Sequence, residues 1–191
     1  MNDNYIDSFK QITSFSDSEL TIVLKYFEKK TIKKKTNLLQ AGKIANEVYF
    51  IISGCMRLFC EKDGVELSTY FFTERTFAGS YASFISRKPS QHSIETVEDC
   101  QVLSLSYQAL QELYNIFPKM NEFIRKSIEE RFVVIHDLFT SYILNSPEER
   151  YLSLLKDSPD LLNRIPQHQI ASFLVITPVS LSRIRNRVAK K

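Results

Sequence analysis

Apolar residues near the end of the chain recur in two short runs with helical spacing, which predicts a pair of helices packed at a steep angle. Ala171 is small where the helices must cross. The second helix is expected to follow Thr177 as N-cap, with Pro178 at its first position, where a missing N–H costs nothing. This arrangement is a helix-turn-helix. Its predicted interior consists of Ile170, Ala171, Leu174, Ile176, Leu181 and Ile184.

The second of these helices carries polar and basic residues opposite Leu181 and Ile184. Their hydrogen-bond donors suit base edges and phosphates, as in a recognition helix in the major groove. From Leu161 onward there are six Lys or Arg and no Asp or Glu, although the whole chain has a net charge of only +3. This concentration of charge favours duplex DNA as partner over the alternative, an ordinary solvated surface helix. The predicted DNA contacts are Gln169, Thr177, Val179, Ser180, Ser182, Arg183, Arg185, Asn186 and Arg187.

The turn between the two helices contains Val175, where such motifs commonly have glycine. If this residue must adopt a left-handed conformation, its β-branched side chain costs about 1 kcal/mol or more. We therefore expect a slightly reshaped turn.

Between residues 38 and 105 the apolar pattern changes to short β-branched or aromatic runs separated by turn residues, which predicts a sandwich or jelly-roll barrel. Asp63-Gly64 predicts a hairpin, because this pair readily supplies the positive φ of a type I′ turn. The basic run KKTIKKK at 29–35 is expected to protect a strand edge from pairing rather than to bind nucleic acid. The predicted strands are Leu38–Leu39, Val48–Ile52, Met56–Cys60, Glu66–Phe72, Ser93–Val97 and Val102–Leu105.

Two capping boxes predict helix starts on either side of the strands. Ser16 with Glu19 opens an N-terminal helix, and Ser146 with Glu149 opens a late helix that has Pro147 at its first position.

The segment Lys119–Asn145 contains neither Gly nor Pro and predicts one long helix. Apolar residues along it alternate four and three apart, as in a coiled-coil seam, and an adjacent strip through Ile124, Arg131 and Leu138 is partly apolar. Such a helix can contact its own barrel with one face and a second subunit with the other. An internal core helix is the alternative, but paired DNA half-sites favour the dimer. The predicted dimer seam is Ile128, Phe132, Ile135, Phe139 and Tyr142.

Composition excludes several classes of protein. No apolar run reaches the roughly 20 residues of a membrane span. The N-terminus lacks the basic and then apolar order of a signal peptide, so we expect a cytoplasmic protein without membrane contact. The three cysteines lack CxxC spacing and predict buried thiols, not disulfides or a metal site. Three dispersed histidines offer no converging metal ligands, which argues against an enzyme on a cupin-like barrel.

The chain is predicted to contain a β-barrel with glycines at its turns, then a long helix, then a helix-turn-helix. In this order these parts resemble the Crp/Fnr family of transcription regulators, and the resemblance covers nearly the whole chain. The resemblance implies an α+β fold without C-terminal wing strands, and a homodimeric, sequence-specific DNA-binding regulator that is not an enzyme. RNA polymerase is a candidate further partner. A small-molecule sensor that acts through protein contacts is the alternative. The residues that carry the resemblance are Gly42, Val48–Gly54, Phe77–Gly79, Glu98–Val102 and Ile170–Arg187.

The same resemblance divides the chain into three parts. Residues 1–118 correspond to the barrel, a jelly roll like a cyclic nucleotide-binding domain, together with an N-terminal helix. Residues 119–145 correspond to the dimerisation helix, and residues 146–191 to the DNA-binding domain.

The resemblance also implies an effector pocket next to Gly79. In the family, a glutamate after this glycine holds the ribose of a cyclic nucleotide, and an arginine eleven residues past the glycine neutralises its phosphate. This chain has Ser80 and Ser90 at the two positions, so a charge-assisted phosphate contact is absent. We expect no cyclic AMP binding of the usual kind, and another small-molecule effector stays open. The pocket candidates are Gly79, Ser80, Tyr81, Ser90, Gln91 and His92.

Aromatic residues near this pocket are expected to fill it rather than to bind an effector. They are Tyr70, Phe71, Phe72, Phe77, Tyr81 and Phe84.

In the recognition helix the family commonly has an acidic residue, a small polar residue and an arginine. Ser182 and Arg183 match the last two, whereas Val179 stands in the acidic place. Arg183 can pair with guanine O6 and N7, and Val179 can contact a thymine methyl. We therefore expect a half-site different from the usual one of the family.

Overall fold

The computed structural model describes residues 4–190, which form two compact units. The first unit comprises the chain up to residue 60 together with residues 70–125. The second comprises residues 61–69 and the chain from residue 126 onward. Residues 61–69 of one hairpin thus group with the C-terminal helices, and the predicted division at residues 118 and 145 stays a prediction.

The strands form two four-stranded antiparallel sheets, with orders β1-β8-β3-β6 and β2-β7-β4-β5. This arrangement confirms the predicted jelly-roll barrel, and each predicted run lies in a strand except for Val97, which follows β7. The strands are β1 (Glu28–Ile32), β2 (Asn37–Leu39), β3 (Glu47–Ser53), β4 (Met56–Lys62), β5 (Val65–Phe72), β6 (Phe77–Ala78), β7 (Ser93–Thr96) and β8 (Cys100–Ser106).

Local sequence signals of the barrel are confirmed. Asp63 and Gly64 have φ values of 54° and 76°, as a type I′ turn between β4 and β5 requires. Strand β1 lies at a sheet edge, where Lys30 forms ion pairs with Glu28 and Glu47. The lysines of this run thus border a strand edge, as expected.

The core of the first unit is rich in aromatic rings. The ring of Phe9 lies 5.0 Å from Phe50 and 6.3 Å from Phe77, in both cases edge to face. Among the aromatics near the predicted pocket, Phe72 and Phe84 are buried in this core, and Tyr70 and Tyr81 pack against it. These contacts support the interpretation that the rings fill the barrel.

Helices of the first unit include the predicted one after Ser16, whose capping box with Glu19 is formed. The sequence patterns did not predict the other helices of this unit, which are short or lie beside strands. The helices are α1 (Asn4–Lys10), α2 (Asp17–Val23), a 3-10 helix (Leu24–Tyr26), α3 (Tyr81–Ser86) and α4 (Tyr107–Ile116).

The long helix α5 is formed as predicted, and α6 begins with the predicted capping box of Ser146 and Glu149. Among the residues that the structure describes, no strand follows α9. The helices are α5 (Lys119–Leu144), α6 (Pro147–Asp157), α7 (Pro159–Arg164), α8 (Gln167–Phe173) and α9 (Pro178–Val188).

Candidate nucleic-acid interface and effector site

Helices α8 and α9 form the predicted helix-turn-helix. Thr177 caps α9, since its hydroxyl accepts a hydrogen bond from the N–H of Ser180 at 3.2 Å, and Pro178 follows it. The predicted interior residues are buried except for Ile176, which is half-buried. Ala171 is completely buried, as the close approach of two helices requires.

The turn adopts the strained conformation that its sequence implied. Val175 has a φ of 56°, in the left-handed region, and its side chain is 64% exposed. The following N–H, of Ile176, donates to the carbonyl of Ala171 at 3.0 Å. A valine therefore occupies a conformation that favours glycine, without burying its side chain in return.

Most predicted DNA contacts lie on the outer surface of α9. Ser182, Arg183, Asn186 and Arg187 are exposed, and Arg185 is half-buried. At the start of α9, Thr177 is exposed, Ser180 is half-buried and Val179 is 61% exposed. This surface combines guanidinium, amide and hydroxyl groups with one apolar side chain.

Besides the capping pair Thr177 and Ser180, two further predicted contacts, Gln169 and Arg187, are constrained within the chain. Gln169, on α8, is buried with only 8% of its surface exposed, so it has little surface free for DNA, and this contact stays a prediction. Arg187 is 3.0 Å from a carboxylate oxygen of Glu148, although most of its side chain remains exposed.

The predicted seam on α5 is exposed along four of its five positions. Phe132 and Phe139 are 69% and 63% exposed, and Ile128 and Ile135 are 42% and 51% exposed. The fifth residue, Tyr142, is half-buried. Its hydroxyl donates to the carbonyl of Phe173 at 2.5 Å, so this tyrosine also holds α8.

The adjacent strip on α5, through Ile124, Arg131 and Leu138, is half-buried at each position. The helix thus has one half-buried face and one exposed apolar face. A row of large apolar side chains in water is unfavourable unless a partner covers it.

The predicted effector pocket contains a serine pair. The hydroxyl oxygens of Ser80 and Ser90 are 2.8 Å apart, and both residues are buried. The hydroxyl of Ser90 also lies 2.7 Å from the carbonyl of His92 and accepts from the N–H of His92 at 3.0 Å. Gly42 donates its N–H to the carbonyl of Ser90 at 2.7 Å. The serine at position 90 is therefore saturated with hydrogen bonds inside the chain.

The other pocket candidates differ in exposure. Gly79 approaches strand β3 so closely that a Cβ would lie 2.9 Å from a methyl carbon of Val48. Gln91 is exposed, whereas Tyr81 and His92 are half-buried. Burial raises the pKa of Tyr81 to about 12, with the neighbouring Tyr114 adding to the shift, and burial lowers the pKa of His92. None of these six residues places a permanent charge at the site.

Two cavities of the first unit lie elsewhere. One, of about 320 Å³, is lined by residues of β2 and β3 and by the loop before β3, and one of about 340 Å³ lies beside Arg87 and Tyr107. Arg87 lies 4.5 Å from the ring of Tyr107 and donates to the carbonyl of Ala45 at 2.7 Å. Sequence reasoning missed this arginine, because no local pattern links it to residues about 40 positions before it.

Neither a metal centre nor a membrane span is found within residues 4–190. No three His, Cys, Asp or Glu side chains there are grouped to hold a metal ion, and the three cysteines are free thiols. No helix in this range is both long enough and apolar enough to cross a membrane.

Comparisons with known proteins agree with this architecture. The family of cyclic nucleotide-binding domains matches residues 29–116. CRP-like protein Clp of Xanthomonas campestris pv. campestris is 28% identical over 81 residues, a match that spans 42% of this chain and 35% of Clp. The chain therefore matches about a third of the length of this curated relative.

Solved structures extend the similarity to the whole fold. The c-di-GMP responsive global regulator CLP of Xanthomonas campestris superposes with a TM-score of 0.75 at 17% identity, over 92% of both chains. FixK2 of Bradyrhizobium japonicum superposes with a TM-score of 0.74 at 14% identity, over 86% of this chain and 85% of FixK2. Residues 29–116 thus match the cyclic nucleotide-binding family, and the chain shares its fold with these two regulators.

Proposed function

We propose that the chain is a homodimeric, sequence-specific DNA-binding transcription regulator whose helix α9 enters the major groove. The observation that carries the proposal is the outer surface of α9, where Arg183, Asn186 and Arg187 are exposed opposite the buried Leu181 and Ile184. The chain from residue 161 onward contains six basic and no acidic residues. Such a surface neutralises phosphates while it presents donors to base edges.

Individual side chains have separate roles in this proposal. Arg183 donates to guanine, and Val179 contacts a thymine methyl, so these two residues select the sequence. Arg187 and Lys190 contact phosphates and supply affinity without selecting the sequence. The Thr177 and Ser180 hydroxyls lie 3.0 Å apart in the helix cap, and they fix the start of α9.

Alanine substitutions distinguish the two kinds of contact. The operator is first obtained by selecting, from random duplexes, the sequence that the wild type binds best. Arg183→Ala is expected to weaken binding to this selected operator by about 10- to 100-fold, the equivalent of one lost base contact. The same variant should weaken binding to random duplex by no more than about twofold. Arg187→Ala should weaken binding to operator and to random duplex by similar factors. It should also reduce the slope of log K against log salt by about 1. Arg75→Ala in the first unit makes the same change of charge and is the matched control. Equal losses on operator and random duplex in Arg183→Ala would contradict the assignment.

We propose that the second copy in the dimer covers the exposed seam of α5. Phe132 and Phe139 supply large apolar surfaces at alternating spacing, and a parallel partner helix buries them in knobs-into-holes packing. A two-fold dimer then presents two copies of α9 to half-sites about 34 Å apart.

We propose that the barrel does not bind cyclic AMP in the usual way. The buried Ser80–Ser90 pair has no positive charge for the phosphate, and burying an unpaired anion beside it would be costly. The similar regulator CLP is described as c-di-GMP responsive. Cyclic dinucleotides are therefore the first alternative effectors to test for this chain.

Calorimetric titration with cyclic AMP tests this proposal. We expect no saturable heat up to about 1 mM and no upward shift of the unfolding temperature, because only ligands that bind the native state stabilise it. Saturable binding at micromolar concentration would contradict the proposal. Titration with c-di-GMP in parallel tests the alternative effector.

A further inference from the structure

The C-terminal end of α8 is held by side chains from three other segments of the second unit. The last carbonyls of a helix have no partner within that helix. In α8, the carbonyls of Ala171 and Ser172 accept from N–H groups of the following turn, each at 3.0 Å. The next two carbonyls, of Phe173 and Leu174, accept instead from side chains of α5 and α6.

The first of these contacts comes from Tyr142 near the end of α5. Its hydroxyl donates to the carbonyl of Phe173, and the two rings meet edge to face with centroids 6.4 Å apart. Burial raises the pKa of Tyr142 to about 12.

The second contact comes from Arg150 on α6. One guanidinium nitrogen donates to the carbonyl of Asn145, just after α5, and another donates to the carbonyl of Leu174, each at 2.8 Å. A single planar group thus joins the C-terminal ends of α5 and α8, where the helix dipoles favour positive charge. A lysine at this position has one ammonium group and cannot span both carbonyls in the same plane.

The third contact comes from strand β5 of the β4–β5 hairpin. The N–H of Ser68 donates to the hydroxyl of Ser172 at 3.1 Å, and the two hydroxyl oxygens are 2.9 Å apart. Ser68 is only 4% exposed. Three consecutive residues, 172–174, are therefore each fixed from a different segment.

We propose that Tyr142, Arg150 and Ser68 are positioning residues that set the angle of the recognition helix against the dimerisation helix. The inference rests on the proposed dimeric DNA binding. Helix α9 packs on α8 through buried residues, so an α8 fixed at its C-terminal end fixes α9 as well. In a two-fold dimer this angle determines which separation of half-sites both copies of α9 can reach.

Operator spacing is the measurement that tests this proposal. The affinity for DNA is measured with a series of palindromes of the selected half-site, whose central spacers differ by one or two base pairs. The proteins compared are the wild-type chain and the variants Tyr142→Phe, Arg150→Lys and Ser68→Ala. A duplex with a single half-site is included. Two base pairs rotate one half-site by about 70°, because a turn of DNA has about 10.5 base pairs. Tyr26→Phe and Arg75→Lys in the first unit are the matched controls.

We expect wild type and controls to bind the palindrome with the best spacer about tenfold or more tightly than the other palindromes. In the three variants this ratio of affinities should fall to about threefold or less. Affinity for the single half-site should stay within about twofold of wild type, because none of the three side chains is on the outer face of α9. A spacer profile unchanged in all three variants overturns the inference, whether or not their unfolding temperature falls. A wild type that binds no palindrome at any spacing overturns the proposed function itself.

Discussion

Val175 is the residue at which sequence and conformation disagree most clearly. Its φ of 56° is a region that glycine adopts freely and a β-branched residue adopts at a cost. Val175→Gly should therefore raise the free energy of unfolding by about 1 kcal/mol, measured by urea denaturation. Val179 is similarly exposed but lies in a helix, so it is the matched control. Val179→Gly should lower the free energy of unfolding by about 0.5–1 kcal/mol. Destabilisation by Val175→Gly would show that the valine is not strained.

Single residues also mark the limit of prediction from sequence. The caps at Thr177 and Ser146 and the Asp63-Gly64 turn were predictable, because each depends on neighbours within a few positions. The burial of Gln169 was not predictable, because it depends on the packing of whole helices. The Ser68–Ser172 contact joins residues 104 positions apart, and no local pattern encodes such a pair.

At the scale of single elements, α5 makes the sharpest prediction. Phe132 lies on the exposed seam, whereas Val133, also exposed, points about 100° away around the helix. Phe132→Glu should place a charge in the dimer interface and yield monomer in sedimentation velocity at concentrations where wild type is dimeric. Val133→Glu should remain dimeric. A Phe132→Glu variant that dimerises like wild type would contradict the seam.

The capping box of α6 should make the stability of this helix depend on pH. Hydrogen bonds from the backbone and side chain of Ser146 hold the pKa of Glu149 below its ordinary value of 4.5. A lowered pKa in the folded chain contributes stability above pH 4.5, which is lost as the pH falls through the folded value.

The excess stability of wild type over Glu149→Ala should thus be present at about pH 7 and shrink at about pH 3 in urea unfolding. Glu130→Ala, an exposed position on α5, is the control. An excess that is equal at both pH values would contradict this role of the carboxylate.

At the scale of the whole molecule, the order of barrel, long helix and helix-turn-helix was predictable from the change of apolar period along the chain. The division into compact units was not, because the hairpin tip at residues 61–69 groups with helices far away in sequence. The serine pair at positions 80 and 90 could be placed by resemblance. Its mutual hydrogen bond could not be predicted, because it depends on the packing of the barrel.

The central claim is that the basic face of α9 binds duplex DNA, and the salt dependence of binding tests it most directly. The full chain is titrated against random duplex over about 50–200 mM salt by fluorescence anisotropy. We predict measurable affinity at low salt and a linear fall of log K with log salt, with a slope steeper than about −3 because several phosphates are contacted in each protomer. No affinity at low salt, or an affinity that salt leaves unchanged, would contradict the account.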